Sequence, residues 1–163
     1  MLATILEEGN GYKATFERHW NFSVEEVWSW LTENDKLKQW FSELDIEDLR
    51  EDGLIKFDMG DGTFEEMTIV ELKPNSVFEF TWGDDVVRFE LESTTDGCKL
   101  LIIEKLAQIT PHTPKDLAGW HVCLDLVHEL LAGKELPFRK EKWETWYEKY
   151  TNVTHHYVKK EPE

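Results

Sequence analysis

The chain has 163 residues, 34 of them acidic and 18 basic, for a formal charge of −16 at pH 7. With 40% apolar and 13% aromatic residues it holds the material for a core, which excludes a mainly disordered state. The charge divides as −8 over residues 1–60, −7 over 61–110 and −1 over 111–163. The basic clusters, Arg139-Lys140-Glu141-Lys142 and Lys159-Lys160, are too small to neutralise a run of phosphates, which argues against nucleic acid or an anionic membrane surface as partner.

No apolar run approaches the roughly 18 residues of a membrane span, and the opening MLATILEEGNGYK has neither a basic nor a long apolar leader region. A soluble, cytoplasmic protein is expected. Cys98 and Cys123 are too few for a disulfide framework and too far apart for a zinc knuckle, so they read as reduced thiols.

In chain order, residues 11–20 alternate, with Tyr12, Ala14, Phe16 and Trp20 on one face of a predicted strand and Arg18 interrupting that face. Ser23-Val24-Glu25-Glu26 has the form of a capping box, opening a helix that carries Val24, Val27, Trp28 and Leu31 at helical spacing. A second short helix is predicted over 34–41, capped by Asn34, with Leu37, Trp40 and Phe41 inward.

From 44 to 109 the punctuation is that of strands. Glu51-Asp52-Gly53, Gly60-Asp61-Gly62, Pro74-Asn75, Gly83-Asp84 and Asp96-Gly97 are turn candidates. Between them Phe78, Phe80 and Trp82 share one face, as do Val87, Phe89 and Leu91, while residues 100–103 are apolar on both faces. Strands joined by tight turns form an antiparallel meander. Thr113-Pro114 then opens a long helix that Ala132-Gly133 ends, with Leu117, Trp120, Leu124, Val127 and Leu131 on one face. A last helix near 140–150 sets Trp143, Trp146, Tyr147 and Tyr150 on one stripe, which reads as docking onto the chain's own body.

This order predicts an α+β fold, an antiparallel sheet of about six to seven strands around a long C-terminal helix. The stretch FERHWNFSVEEVWSWLTENDKLKQWF, through Arg18, Val27-Trp28 and Trp40-Phe41, resembles the opening of the START-like (SRPBCC) superfamily. Within it the chain is most similar to the family related to the activator of the heat-shock-protein-ninety ATPase. VELKPNSVFEFTW, through Pro74 and Trp82, and the Gly119-Trp120 pair extend the resemblance over residues 12–133. Phe22-Ser23 and Asn34 depart from the family's small-residue-Pro and Pro, but both replacements are good caps. The resemblance implies one START-like domain over 1–163, with 139–151 as an additional helix, and a helix-grip fold with a cavity between sheet and long helix. The activators themselves carry a further N-terminal domain that this sequence does not include.

The expected function is binding of a hydrophobic or amphipathic small molecule in that cavity, with no catalytic residue, metal or cofactor assigned. Its predicted lining is Arg18, Phe78, Phe80, Trp82, Val87, Phe89, Leu91, Trp120, Leu124, Val127 and Leu131. Arg18 has two roles open to it: a two-point anchor for a ligand carboxylate or phosphate, or a strand-end side chain that reaches water or pairs with an acid such as Glu26. His121, Asp125 and His128 share a helical stripe that could hold a metal but reads more simply as the helix's solvent face. Cys123 reads as inert packing. The alternatives are a protein-interaction or chaperone-regulating module using the acidic surface, and a cyclase- or hydrolase-type enzyme, which would need a titratable group with a perturbed pKa inside the cavity.

Overall fold

The computed structural model describes residues 1–137 and 139–158; the Lys159-Lys160 pair lies outside the described residues. Strands β1 (Thr4–Glu8) and β2 (Gly11–Trp20) are followed by helices α1 (Val24–Thr32) and α2 (Asn34–Trp40). Then come β3 (Leu44–Ile46), β4 (Leu54–Asp58), β5 (Phe64–Lys73), β6 (Val77–Trp82), β7 (Asp85–Thr94) and β8 (Gly97–Leu106), and finally α3 (Thr113–Leu131) and α4 (Arg139–Val158). The described residues form one antiparallel sheet of eight strands in the order β1-β2-β8-β7-β6-β5-β4-β3, wrapped around the C-terminal helices. This is the α+β helix-grip arrangement the sequence predicts, with one strand beyond the six to seven expected, the edge strand β1.

The period-two patterns set the register. Phe78 faces Phe89 and Phe80 faces Val87 across β6–β7, and Phe89 faces Ile102 across β7–β8. Ile102 in turn pairs with Phe16 of β2, so one apolar row crosses four strands beneath α3. Ser23 accepts the Glu26 amide at 3.2 Å, as a cap should. Asn34, by contrast, is not a cap. It is the first residue of α2, and its amide exchanges two hydrogen bonds with the Ile46 backbone at 2.8 and 2.9 Å, tying α2 to β3.

Helix α4 is longer than 139–151 and lies along α3, which changes the reading of the α3 polar stripe. His121 is 1% exposed, stacked on Trp146 at 3.7 Å, with Nδ1 2.7 Å from the Tyr150 hydroxyl. The Ala3 amide donates to that same hydroxyl at 3.0 Å, which leaves the tyrosine proton for His121. Burial, with the Arg18 charge second, lowers the His121 pKa to about 3, so the ring is neutral at pH 7. His121 is therefore interior, because the aromatic face of α4 docks on it, while Asp125 and His128 further along the stripe stay partly exposed, as a solvent-facing stripe would.

Candidate functional site

The predicted cavity lies where β6, β7 and α3 meet, and side chains fill it. Phe78, Phe80, Val87, Phe89, Leu91, Trp120, Leu124 and Val127 are all buried, while Trp82 and Leu131 are partly so. Trp120 touches Trp82 at 5.3 Å and Phe89 at 6.0 Å between ring centroids, and Phe78 stacks on Phe89 at 6.1 Å. The void these rings enclose with neighbouring aliphatics is about 10 Å³, no more than one water, and its lining is apolar. Any larger molecule must displace side chains or bind at the seam's mouth.

Arg18 is not part of this cluster. Its guanidinium donates to the Met1 and Glu17 carbonyls at 3.1 and 2.8 Å, and the carboxylate it feels most is Asp125. Partly buried, its guanidinium is satisfied by these two backbone carbonyls and directed to the start of the chain.

Two open clefts lie at the mouth, on either side of a partition formed by Trp82, His112 and Asp116, which line both. The Trp82 indole N–H donates to Asp116 at 3.2 Å, which holds the partition upright.

The first cleft, about 640 Å³, is bounded by the end of α2, the start of α3 and the start of α4. Its walls carry five large rings, Trp40, Phe41, Trp82, Trp120 and Trp143, and its charged lining is Lys38, Lys115, Arg139 and Lys140 against Glu43 and Asp116. That basic balance stands out on a chain of charge −16. The Trp120 indole N–H is buried without a hydrogen-bond partner among the described residues, a donor with no acceptor. Cys123 also lines this cleft; burial pushes its thiol up to about 12, so it stays protonated and unreactive, as the sequence suggests.

The second cleft, about 570 Å³, lies between β4–β5, the β6–β7 turn and the segment joining β8 to α3. Phe57, Met59, Met67, Trp82 and Leu106 supply apolar surface, and its acidic lining is Glu65, Asp84, Asp85 and Asp116, with His112 and, among the described residues, no lysine or arginine. Behind Asp116 lies Glu104 of β8, 0% exposed, with both carboxyl oxygens unpartnered among the described residues. Burial, and then the adjacent Asp116 carboxyl, push its pKa well above the carboxylate range.

Sequence reasoning missed Glu104 and both clefts. Glu104 shares the parity of Leu100 and Ile102, which was the available signal for its inward direction.

Among the described residues no helix is long and apolar enough to cross a membrane, and no group of three or more His, Cys, Asp or Glu is placed to hold a metal ion. A family model described as Activator of Hsp90 ATPase homolog 1-like protein matches residues 21–132. Among curated proteins none matches the chain. Of solved structures, a conserved protein of unknown function from Enterococcus faecalis, EF2215, is 29% identical over 93% of this chain and 91% of that one, with a TM-score of 0.77. CalU16 from Micromonospora echinospora is 19% identical over 94% and 95%, with a TM-score of 0.73. The product of gene BPP1335 from Bordetella parapertussis is 21% identical over 85% and 84%, with a TM-score of 0.68. The last two likenesses are ones of fold.

Proposed function

The chain belongs to the Activator of Hsp90 ATPase homolog 1-like family, and from that premise we propose that it binds an amphipathic small molecule at the mouth of the sheet–helix seam. The observation that supports this most is the first cleft: five aromatic rings and four cationic side chains line one space of about 640 Å³, and the buried Trp120 N–H in its wall has no acceptor among the described residues. Apolar walls with a few convergent polar groups are the usual form of a small-molecule site. Trp82 and Trp120 contact the ligand directly in this reading. Phe78, Phe80, Val87, Phe89, Leu91, Leu124, Val127 and Leu131 form the packed wall behind them. The basic lining favours a ligand with an anionic or hydrogen-bond-accepting end.

Titration with 3-phenylpropionate tests this, followed by the indole N–H resonances of Trp120 and Trp143. A saturable shift of both, weakened about ten-fold by the pair Lys115→Glu and Arg139→Glu, is the expected outcome. Unmoved resonances with 3-phenylpropionate and with dodecanoate at millimolar concentration, together with a bare native mass for protein purified gently from cells, would overturn it.

A further inference from the structure

The geometry points to a second binding site, in the cleft lined by Asp84, Asp85 and Asp116, for an amphipathic organic cation: an amine or amidine on an apolar body. It goes beyond the proposed function, which concerns the other cleft.

A glutamate with a purely structural role inside a fold is paired, and this chain provides the example in Glu79. That side chain is 5% exposed, lies on the outer face of the sheet, and accepts from Lys105 at 2.7 Å and from Arg88 at 3.5 Å. Glu104 is more deeply buried and has no such partner among the described residues. Its sheet neighbours are Val87 and Ala14, which offer no polar side chain. What faces it is the Asp116 carboxyl on the cleft wall, within hydrogen-bonding range once a proton lies between the two, with Asp85 beyond. That proton satisfies one Glu104 oxygen and leaves the other orphaned.

The charged groups around the cleft narrow the ligand class. Asp116 comes from α3, Asp85 from β7, Asp84 from the β6–β7 turn, Glu65 from β5 and Glu104 from β8; His112, ahead of α3, is the remaining titratable group. The nearest lysines in sequence are turned away: Lys105 to Glu79 on the outer face, and Lys115 into the first cleft. A metal ion does not fit, because the described residues place no group of three or more ligating side chains for one. An ammonium or amidinium does fit, since it donates in several directions and tolerates carboxylates on different elements. Phe57, Met59, Met67 and Leu106 provide the surface for its apolar body, and the Trp82 ring offers a cation–π face beside Asp116.

Binding exchanges one positive charge for another. The cation pairs with Asp116 and Asp85 on the cleft wall and, by its charge, favours the ionised form of the Glu104–Asp116 pair behind that wall, so the proton this pair holds passes to the buffer. Affinity therefore rises with pH, and binding releases a proton.

Phenethylamine and 3-phenylpropionate, a phenyl ring on a short tether with opposite charge, make the test. The chain has three methionines, Met1, Met59 and Met67, and the last two line this cleft, so methionine methyl resonances report on it. Phenethylamine should shift the Met59 and Met67 methyls saturably while 3-phenylpropionate leaves them in place. Calorimetry in buffers of different ionisation enthalpy should show proton release. Glu104→Gln keeps the shape and a donor toward Asp116, and should lose affinity about ten-fold together with the proton release. Asp84→Lys, at an exposed turn position, should weaken binding without touching the core. Equal shifts from both probes, no saturable shift with the amine at millimolar concentration, or unchanged affinity in both variants would overturn the inference. Since the Trp143 indole lines the first cleft and not the second, failure of one site is distinguishable from failure of the other.

Discussion

The two faces of the central sheet each bury a glutamate, and they treat it in opposite ways. On the outer face, Glu79 is held by Arg88 and Lys105, Arg88 also bonds Glu71 at 2.6 Å and Glu90, and Lys73 is a second partner for Glu71, so three carboxylates share three cations. On the inner face, Glu104 meets Asp116 and no cation. Burial alone therefore does not tell structure from function: a charge buried with its counter-charge is closed chemistry, and one buried without it is unfinished. The clefts repeat the contrast at lower cost, one with an unpaired donor on a basic wall, the other with an unpaired acceptor behind an acidic one.

Removing the outer cations should break the contrast most severely. Arg88→Met leaves Glu79 with Lys105 alone, whose side chain is 48% exposed, and Glu71 with Lys73 alone. A loss of about 3 kcal/mol is expected in urea denaturation, the scale for removing one partner of a buried pair. A loss below about 0.5 kcal/mol would mean that the cluster behaves as an exposed ion pair and that the comparison with Glu104 is void.

His121 is a third buried titratable group, and its partner can be removed without touching charge. Tyr150→Phe deletes the hydroxyl that joins the Ala3 amide to His121, leaving a buried donor and a buried acceptor unpaired. About 2 kcal/mol should be lost at pH 7. The pH dependence has a definite sign. His121 titrates near 3 in the folded chain and near 6.5 when unfolded, so its stabilisation is complete above pH 6.5 and is lost as pH falls toward about 3. Replacing it by leucine should shrink that acid-side loss whatever the absolute stability; an unaltered acid limb would show that His121 is not buried neutral.

The sequence made some of this legible and concealed the rest for physical reasons. Period-two alternation placed Phe78, Phe80, Val87 and Phe89 on the inner face because the positions between them carry polar or charged side chains, Glu79 on β6 and Arg88 on β7. Strand β1 left no such mark: at a sheet edge, Ile5 is the one buried residue of TILEE. His121 was misread because the aromatic stripe of α4 and the polar stripe of α3 are each ambiguous alone and cover each other only in space. Glu104 was hidden by its neighbours. In LLIIEKL apolar residues occupy both faces, so the acid reads as the strand's end, and only parity with Ile102 turns it inward. The clefts form where α2, β6, α3 and α4 end near one another, and the meeting of element ends has no period.

The smallest effect expected has the opposite sign. A group whose folded pKa lies above its unfolded value is protonated in both states at low pH and costs the fold nothing there. As pH rises past about 4.3 the unfolded carboxyl ionises freely while the buried one does not, so stability falls until the folded pKa is reached. Glu104 therefore weakens the fold at neutral and alkaline pH, opposite in slope to His121. Glu104→Gln supplies permanently what the proton supplies transiently, a neutral side chain with a donor for Asp116. The variant should be more stable than the parent at pH 8, and the gap should close toward pH 4. A gap that does not change with pH would make Glu104 an ordinary packing position. An amine that occupies the acidic cleft should narrow the gap at pH 8, because it stabilises the parent more than the variant.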